Sequence, residues 1–171
     1  MKVLVLTRYG SLGASSRMRI LQYNQRLTEA NIQLTIKPLF SNSYITDLQN
    51  NKKNIAKIFL AYLKRFYLMS SCKSFDLIWI EKECFPWLPF WLENFFLPPD
   101  IPFALDYDDA VFHQYDQHKN WLIRLMLKYK HPMLIQSSAL TIVGNDYLAD
   151  YARSYKTDYV YILPTAIDLE R

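Results

Sequence analysis

Short apolar, β-branched segments alternate with longer segments of helical periodicity, and this alternation constrains the fold more than any other feature. Six segments are predicted to be strands, at residues 3–7, 33–39, 76–81, 103–106, 139–143 and 159–163. They are apolar on both sides, as in parallel sheets buried on both faces. Because helical segments separate them, we predict an α/β fold: a Rossmann-like, doubly wound parallel sheet of about six strands with helices on both faces.

The helical segments are predicted from their apolar period and from the residues that begin helices. Ser15 or Ser16 is predicted to cap a helix that runs to about Glu29, and Pro86 to open a helix before the proline-rich segment. Residues 41–51 are polar and are predicted to form a loop. Three further helices are predicted, at 54–70, at 121–137 with a break at Pro132, and from a cap at Asn145 to about Ser154.

The length of 171 residues suffices for one domain with a single core. After the sixth predicted strand the chain continues as PTAIDLER, which is typical of a segment that leaves a domain rather than of a final helix or strand. We therefore predict one domain over residues 1–163, and a connector to a further domain beginning at 164–171. MKVLVLT is too short for the apolar region of a secretory signal, and no run of about 20 apolar residues is present, so a cytoplasmic location is expected.

Charge and cysteine content exclude several classes of site. The formal net charge is +4, from 20 Lys and Arg against 16 Asp and Glu. This balance permits an anionic lipid or a phosphorylated ligand, and no nucleic-acid partner is predicted. Two cysteines, Cys72 and Cys84, are too few for a disulfide framework or a four-ligand zinc site, and they are expected to be buried thiols in a reducing compartment.

Polar residues and glycines follow the predicted strands, where ligands bind in open α/β sheets. These candidates are Gly10, Gly13, Ser15, Ser16 and Arg17 after the first strand, Glu81, Lys82 and Glu83 after the third, Asp106, Asp108, Asp109 and His113 after the fourth, and Gly144, Asn145 and Asp146 after the fifth. Because the carboxyl ends of parallel strands meet at one edge, we expect these residues to line one crevice.

The glycine-containing turn after the first strand is predicted to bind an anion at a helix N-terminus. Its spacing is neither GxGxxG nor GxxxxGK[ST], so it does not indicate a dinucleotide site or a P-loop. Arg17 lies one turn before Ile20, so its guanidinium is predicted to point into the crevice and bind a phosphate, whereas Arg19 is predicted to be solvated. The alternative is a tight turn with a structural ion pair.

The segment LDYDDAVFHQYD is the densest cluster of carboxylates. Carboxylates this close raise one another's pKa or need a cation or a hydrogen-bonding ligand. Three interpretations are open. Asp106-x-Asp108 holds a metal, as in the DxD motif of metal-dependent nucleotide-sugar transferases; ligand hydroxyls bind there, with Asp109 or His113 as acid or base; or Asp108 or Asp109 caps a helical turn.

The predicted helix 54–70 has a wide apolar arc and a basic opposite side with Lys57 and Lys64. The residues predicted to share the apolar face are Ile55, Ile58, Phe59, Tyr62, Leu63, Phe66 and Met69. This pattern is typical either of a core helix or of an interfacial helix on an anionic membrane. Trp87 and Trp91 are likewise open to two interpretations, stacking on a sugar ring or packing in the core.

Five segments resemble, in order and over almost the whole chain, the N-terminal half of a group 1 (family 4) glycosyltransferase with the GT-B fold. They are GSLGASSRMRILQY, DLIWIEKECFPWLPFWLE, LDYDDAVFHQYD, IVGNDYLADYA and ILPTAIDLER. The resemblance implies a two-domain enzyme that transfers a sugar from a nucleotide-sugar to a polysaccharide or glycolipid acceptor. This chain would be its acceptor-side half, inactive without the second domain. The nucleotide-sugar is a substrate, no metal or other cofactor is implied, and peripheral membrane docking is expected.

Site residues follow from the same resemblance. It implies that the Gly13 turn, with Ser15, Ser16 and Arg17, approaches the donor diphosphate, and that the loop from Asp106 to His113 lines the cleft near the sugar and the acceptor, with Glu81 and Glu83 beside it. Within this cleft we predict Asp109 and His113 as the catalytic residues, and Glu81, Glu83, Asp106, Asp108 and Asn145 as the residues that bind acceptor and sugar. Two alternatives stand beside this function. One is a metal-dependent sugar transferase that uses Asp106 and Asp108, and the other is a non-catalytic α/β module that docks on anionic membranes through residues 54–70.

Overall fold

The structure is a computed structural model that describes residues 1–50, 54–156 and 158–166. Six strands form its sheet: β1 (Lys2–Tyr9), β2 (Gln33–Phe40), β3 (Leu77–Glu81), β4 (Phe103–Tyr107), β5 (Leu140–Val143) and β6 (Val160–Ile162). The order across the sheet is β2-β1-β3-β4-β5-β6, and each neighbouring pair is parallel. The predicted α/β Rossmann-like fold is confirmed.

Helices lie between the strands and pack against the sheet. They are α1 (Ala14–Arg19), α2 (Asn24–Glu29), α3 (Asn42–Gln49), α4 (Ile55–Ser71), α5 (Phe90–Phe96), α6 (His113–Asp116), α7 (Trp121–Leu127), α8 (Lys130–Ser137) and α9 (Asp146–Arg153). Among the residues described, no helix combines the length and the apolar character needed to cross a bilayer.

The two faces of the sheet carry clusters of different size. Side chains alternate along a strand, so Leu4 and Leu6 of β1 point to one face while Val3 and Val5 point to the other. Leu4 and Leu6 belong to the main core, together with buried side chains of α4, α8 and α9. Val3 and Val5 form a smaller cluster with Ile20, which follows α1. The helix α1 therefore covers the face opposite to that covered by α4, α8 and α9.

The predicted single helix from Ser15 or Ser16 to Glu29 is wrong in its start and in its continuity. Gly13 is the N-cap, and α1 ends at Arg19 because Ile20 has φ −129° and ψ −59°, outside the helical region. A 3₁₀ turn then leads into α2. Residues before and after Ile20 therefore belong to two different helices, and a single helical period cannot predict which of their side chains share a face.

Residues 41–50, predicted to lie in a loop, contain the helix α3, and Asn51 of that prediction lies outside the described residues. The ring of Tyr44 stacks on that of Phe40 with centroids 4.4 Å apart, and Thr46 Oγ1 donates a hydrogen bond to the main-chain oxygen of Asn42. These contacts stabilise a polar segment whose composition alone favours a loop.

Two prolines occupy places other than those predicted. Pro89, and not Pro86, is the N-cap of α5, and residues 82–88 precede that helix. Pro132 does not break the segment 121–137, because it lies in the first turn of α8, where no intrahelical partner for its missing N–H is needed. The break between α7 and α8 falls instead at residues 128–129.

The buried face of α4 differs from the predicted stripe. Tyr62, Phe66 and Met69 pack in or against the core, whereas Ile55, Phe59 and Leu63 are 79%, 63% and 46% exposed. Arg65 is buried in their stead, and its Nη2 donates hydrogen bonds to the main-chain oxygens of Thr7 (3.1 Å) and Lys37 (2.9 Å). The N-terminal half of α4 therefore presents apolar side chains to solvent.

Candidate functional site

The carboxyl ends of β3, β4 and β5 meet at one edge of the sheet, as predicted. Glu81 of β3 is the register partner of Asp106 of β4. The main-chain N–H of Gly144, after β5, donates to the oxygen of Tyr107 (2.8 Å), and a Cβ on this glycine would lie 3.5 Å from the Cα of Asp108. The close approach brings the end of β5 against the acidic segment that follows β4.

Two buried carboxylates at this edge hold α1. Ser16 Oγ donates to Glu81 Oε2 (2.7 Å), and Arg19 donates to Asp106 Oδ1 from Nε (3.0 Å) and Nη2 (2.7 Å). Burial raises the pKa of Glu81, and it raises the pKa of Asp106 to about 6 despite the Arg19 charge. All three side chains, Ser16, Glu81 and Asp106, were predicted to bind ligand. In the structure their hydrogen bonds instead position α1.

Arg19 does not lie in its predicted place, whereas that of Arg17 is not contradicted. Arg17 is exposed, with Nη1 3.5 Å from the main-chain oxygen of Ser11 in the turn after β1, and its contact with a phosphate stays a prediction. Arg19, predicted to be solvated, is 2% exposed. The reason is that Ile20 lies beyond the end of α1 and does not mark its buried face. The carboxylates of Glu81 and Asp106 instead select Ser16 and Arg19, which are three residues apart on one face.

Arg19 also contacts the segment that follows β6. Its Nη1 donates to the main-chain oxygen of Leu163 and lies 3.4 Å from Thr165 Oγ1, while Gln22 Nε2 donates to the oxygen of Ala166 (3.0 Å). Residues 163–166 are therefore held against α1 and the turn after it. Residues 167–171 of the predicted connector lie outside the described residues.

Lys82 lies within the acidic cluster that follows β4. Its Nζ is 2.9 Å from Asp108 Oδ1 and 2.8 Å from Asp109 Oδ2. Burial opposes ionisation of Asp108, but the Ser15 hydroxyl and the Lys82 ammonium hold its pKa below the ordinary value. Asp109 remains 60% exposed in its side chain and is the carboxylate of this pair more open to a ligand. The sequence predicted Lys82 only as one of the residues that line the crevice. Its contacts with Asp108 and Asp109 could not be predicted, because these residues are 26 and 27 positions away and only tertiary structure brings them together.

The carboxylates of the Asp106-x-Asp108 pattern have cationic partners from the protein itself. Arg19 neutralises Asp106 and Lys82 neutralises Asp108. Within residues 1–50, 54–156 and 158–166, no group of three or more His, Cys, Asp or Glu side chains is arranged to hold a metal ion. In this arrangement a metal would have to displace an arginine or a lysine from its carboxylate.

His113 and Asn145 make contacts at the helices after β4 and β5. His113 Nδ1 is 3.0 Å from Asp116 Oδ1, and its Nε2 is 2.6 Å from the hydroxyl of Tyr147, so the ring connects α6 with α9. Asn145 Oδ1 accepts a hydrogen bond from the N–H of Leu148 (3.0 Å), which confirms the predicted cap of α9. Among the described residues, neither side chain is hydrogen-bonded to the Asp109 carboxylate.

Glu83 points into the core and not into the crevice, which corrects its predicted role. Lys82 has φ 65°, and this left-handed residue interrupts the alternation of the strand, so that Glu83 turns to the α8 side of the sheet. Glu83 Oε2 and Glu93 Oε2 lie 2.6 and 2.9 Å from Lys130 Nζ. Burial opposes ionisation of Glu83, but the Lys130 ammonium holds its pKa below the ordinary value, whereas burial raises that of Glu93.

The contribution of His131 to stability is expected to fall below neutral pH. Burial lowers the pKa of this histidine from 6.5 to about 4, and its Nδ1 is 2.9 Å from the hydroxyl of Tyr107. The unfolded chain binds a proton that the folded chain excludes, so the contribution is complete above pH 6.5 and is lost as pH falls toward 4. The loss from pH 7 to 5 is about 2 kcal/mol.

Urea denaturation of the wild type and of His131→Gln at these two pH values measures this contribution. We expect the variant to lose about 2 kcal/mol less than the wild type over the same interval. An equal loss in the two proteins would show that another group is responsible. The comparison uses the difference between proteins because protonation of Asp106, whose folded-state pKa is raised, acts in the opposite direction.

The two cysteines are both free and buried, as expected from the sequence. Burial raises the pKa of the Cys84 thiol to about 12, and it also raises that of Cys72. Thiols in this state are poor nucleophiles.

No protein-family model matches the chain, and no curated protein is significantly similar to it.

Proposed function

We propose that this chain is the acceptor-side, N-terminal domain of a glycosyltransferase that moves a sugar from a nucleotide-sugar to a polysaccharide or glycolipid acceptor. The observation that most supports the proposal is the meeting of polar groups from β3, β4, β5 and α1 at the carboxyl edge of one open parallel sheet. Ligands bind at this edge in α/β folds. The reaction itself comes from the sequence resemblance, since the fold alone does not specify it.

In this proposal Asp109, whose side chain is 60% exposed, and the first residues of α1 have the direct roles. Asp109 accepts a proton or a hydrogen bond from a hydroxyl of the acceptor, and Lys82 holds its carboxylate in place. Gly13 and Ser15, at the start of α1, face the donor diphosphate. As the new glycosidic bond forms, the acceptor hydroxyl loses its proton and the nucleoside diphosphate leaves. His113 stays a predicted second acid or base.

The test is an assay for nucleoside diphosphate release by a polypeptide that continues about 200 residues past position 171, the size of a second domain. It is incubated with uridine, guanosine and thymidine diphosphate sugars and a glycan mixture. We expect release with one class of donor, and a loss of 100-fold or more in Asp109→Asn, the range for a general acid or base. Asp100→Asn, which changes an exposed acid before β4, is the control.

Absence of release with every donor would overturn the proposed function. Equal losses in Asp109→Asn and Asp100→Asn would overturn the role of Asp109. Activity that disappears with a chelator and returns with Mn²⁺ would instead favour the metal-dependent alternative, in which Asp106 and Asp108 exchange their cationic partners for the metal.

We also propose that α4 docks on an anionic membrane. The observation that favours this second role is the exposure of large apolar side chains along the helix, with Ile55, Phe59 and Tyr67 at 79%, 63% and 77%. Lys57 and Lys64 lie among them. The adjacent α5 adds Trp91 and Phe95, 67% and 77% exposed. An apolar, aromatic face with lysines is the composition of interfacial helices on anionic lipid.

Sedimentation with phosphatidylcholine vesicles, with and without phosphatidylglycerol, tests the membrane role. We expect binding only to the anionic vesicles, and about tenfold weaker binding by Phe59→Ser, because a buried phenylalanine contributes ~1.5–3 kcal/mol. Tyr161→Ser, at an exposed aromatic side chain of β6, is the control. Failure of the wild type to bind anionic vesicles would exclude docking.

A further inference from the structure

Arg8 stands at the carboxyl end of β1, next to the candidate site. Arg8 follows Leu6 by two residues and Leu4 by four in the strand, so its side chain lies on the same face of the sheet as the main core. The main-chain N–H of Arg8 donates to Glu81 Oε2 (3.0 Å), which fixes the backbone at this position. The guanidinium is half-buried.

Tyrosines from several elements surround this guanidinium. Its Cζ is 5.8 Å from the centroid of the Tyr9 ring. Burial raises the pKa of Tyr44, Tyr62 and Tyr115, and the Arg8 charge acts against that rise in all three. The Phe40 ring lies 6.0 Å from that of Tyr9, 4.4 Å from that of Tyr44 and 6.4 Å from that of Tyr62, so these tyrosines form one aromatic cluster beside Arg8.

The guanidinium retains one donor without a partner. Arg8 Nε is buried and has no hydrogen-bond partner. Arg8 takes part in none of the ion pairs among the described residues, whereas Arg19 is paired with Asp106. The Glu83 carboxylate, whose charge also acts on Arg8, already accepts from Lys130 Nζ (2.6 Å) and from the hydroxyl of Tyr115 (2.9 Å). A buried donor left in this state is costly unless a ligand supplies its acceptor.

The loop over residues 82–88 lies beside these tyrosines and is conformationally strained. Lys82 and Trp87 have φ 65° and 62°, a region that bulky residues rarely occupy and that recurs at ligand sites. The N–H of Trp87 donates to the hydroxyl of Tyr115 (2.9 Å), and the hydroxyl of Tyr62 donates to the oxygen of Pro86 (2.6 Å). The Trp87 ring, 44% exposed, is thereby held near the same two tyrosines.

We propose that Arg8 binds an oxyanion, a phosphate or a carboxylate, carried by a sugar ligand, and that Trp87 and the tyrosines form an aromatic wall for its ring. A guanidinium binds either oxyanion through two parallel hydrogen bonds. Aromatic rings supply rigid apolar surface for the carbon face of the sugar. The choice of a sugar rests on the proposed function, whereas the oxyanion site rests on Arg8 itself.

Titration calorimetry of the 171-residue chain with glucose 1-phosphate, glucuronate and glucose tests this site. We expect at least one charged sugar to bind ten times or more tighter than glucose, and the tighter of the two identifies phosphate or carboxylate as the group. Arg8→Gln is expected to weaken that binding at least tenfold, and Arg8→Lys to weaken it less. Arg26→Gln, which removes an exposed arginine of α2 to which no binding role is assigned, is expected to leave binding unchanged.

Several outcomes would overturn the Arg8 site. These are equal affinities for charged and uncharged sugars, no binding of any of the three, or equal losses in Arg8→Gln and Arg26→Gln. Circular dichroism and Tm establish that the variants fold. If Arg8→Gln does not fold, Trp87→Ala supplies the test, and unchanged affinity for the charged sugar in that variant excludes the site. The titration needs neither a second domain nor a nucleotide, so its failure and the failure of the proposed transferase activity are separate results.

Discussion

Replacing Lys130 by methionine is expected to lower the free energy of unfolding by about 3–5 kcal/mol. The Lys130 ammonium lies between the carboxylates of Glu83 and Glu93 and also donates to the main-chain oxygen of Phe85 (2.6 Å). All three charged side chains are at most 1% exposed. Methionine keeps most of the packing volume, so the loss comes from two buried carboxylates left without a cation. Urea denaturation at pH 7 measures it.

Lys119→Met is the control for this variant, because Lys119 is exposed and its replacement is expected to change stability by less than about 0.5 kcal/mol. Adding Glu83→Gln and Glu93→Gln to Lys130→Met removes the unpaired charges and should recover part of the loss. A Lys130→Met protein as stable as the wild type would show that the three groups do not form a buried network.

Replacing Arg19 by methionine is also expected to cost about 3–5 kcal/mol in the free energy of unfolding. The change removes both hydrogen bonds to Asp106, whose carboxylate is 1% exposed and would be left without a cation. It also removes the donors to Leu163 and Thr165. Because burial already raises the pKa of Asp106 to about 6, the loss is expected to be larger at pH 8 than at pH 5, where the unpaired acid is protonated.

Arg17→Met is the matched control on the same helix and is expected to change stability by less than about 0.5 kcal/mol. In the double variant Arg19→Met with Asp106→Asn, the loss in the free energy of unfolding should be smaller than the sum of the two single losses by at least about 1 kcal/mol. The reason is that each single change already removes the same ion pair. Similar losses in Arg17→Met and Arg19→Met would contradict the assignment of Arg19 as the residue that anchors α1.

The ion pairs of Lys130 and of Arg19 show that some polar residues of the candidate site hold the structure while others stay accessible to a ligand. Glu81, Glu83 and Asp106 are at most 4% exposed, and their carboxylates are bound to groups of the protein. They position α1 and the loop after β3. The groups left accessible at the carboxyl edge include the Asp109 carboxylate and the Arg8 guanidinium. An edge held by buried ion pairs keeps such groups in fixed positions, which a binding site requires.

The six strands and the position of the candidate site were determined by the sequence. The strand segments are largely apolar, most clearly in β1, β3, β4 and β5, where most side chains are buried, and such segments are visible without knowledge of their neighbours. Charged residues then fall at or near the strand ends, because a buried charge needs a partner, as Glu81 and Asp106 have in Ser16 and Arg19. The helix cap at Asn145 could likewise be predicted from the sequence, because its partner, the N–H of Leu148, is only three residues away.

Only the tertiary structure decided which charged side chains are buried and which face a ligand. Arg17 and Arg19 are chemically equivalent in the sequence, and the choice between them depends on Asp106, which is 87 residues from Arg19. The same holds for Glu83, which pairs with Lys130, and for α4, where Arg65 rather than Phe59 is buried. Apolar burial depends on local composition, whereas a buried charge is stable only beside a partner, and folding alone brings distant partners together.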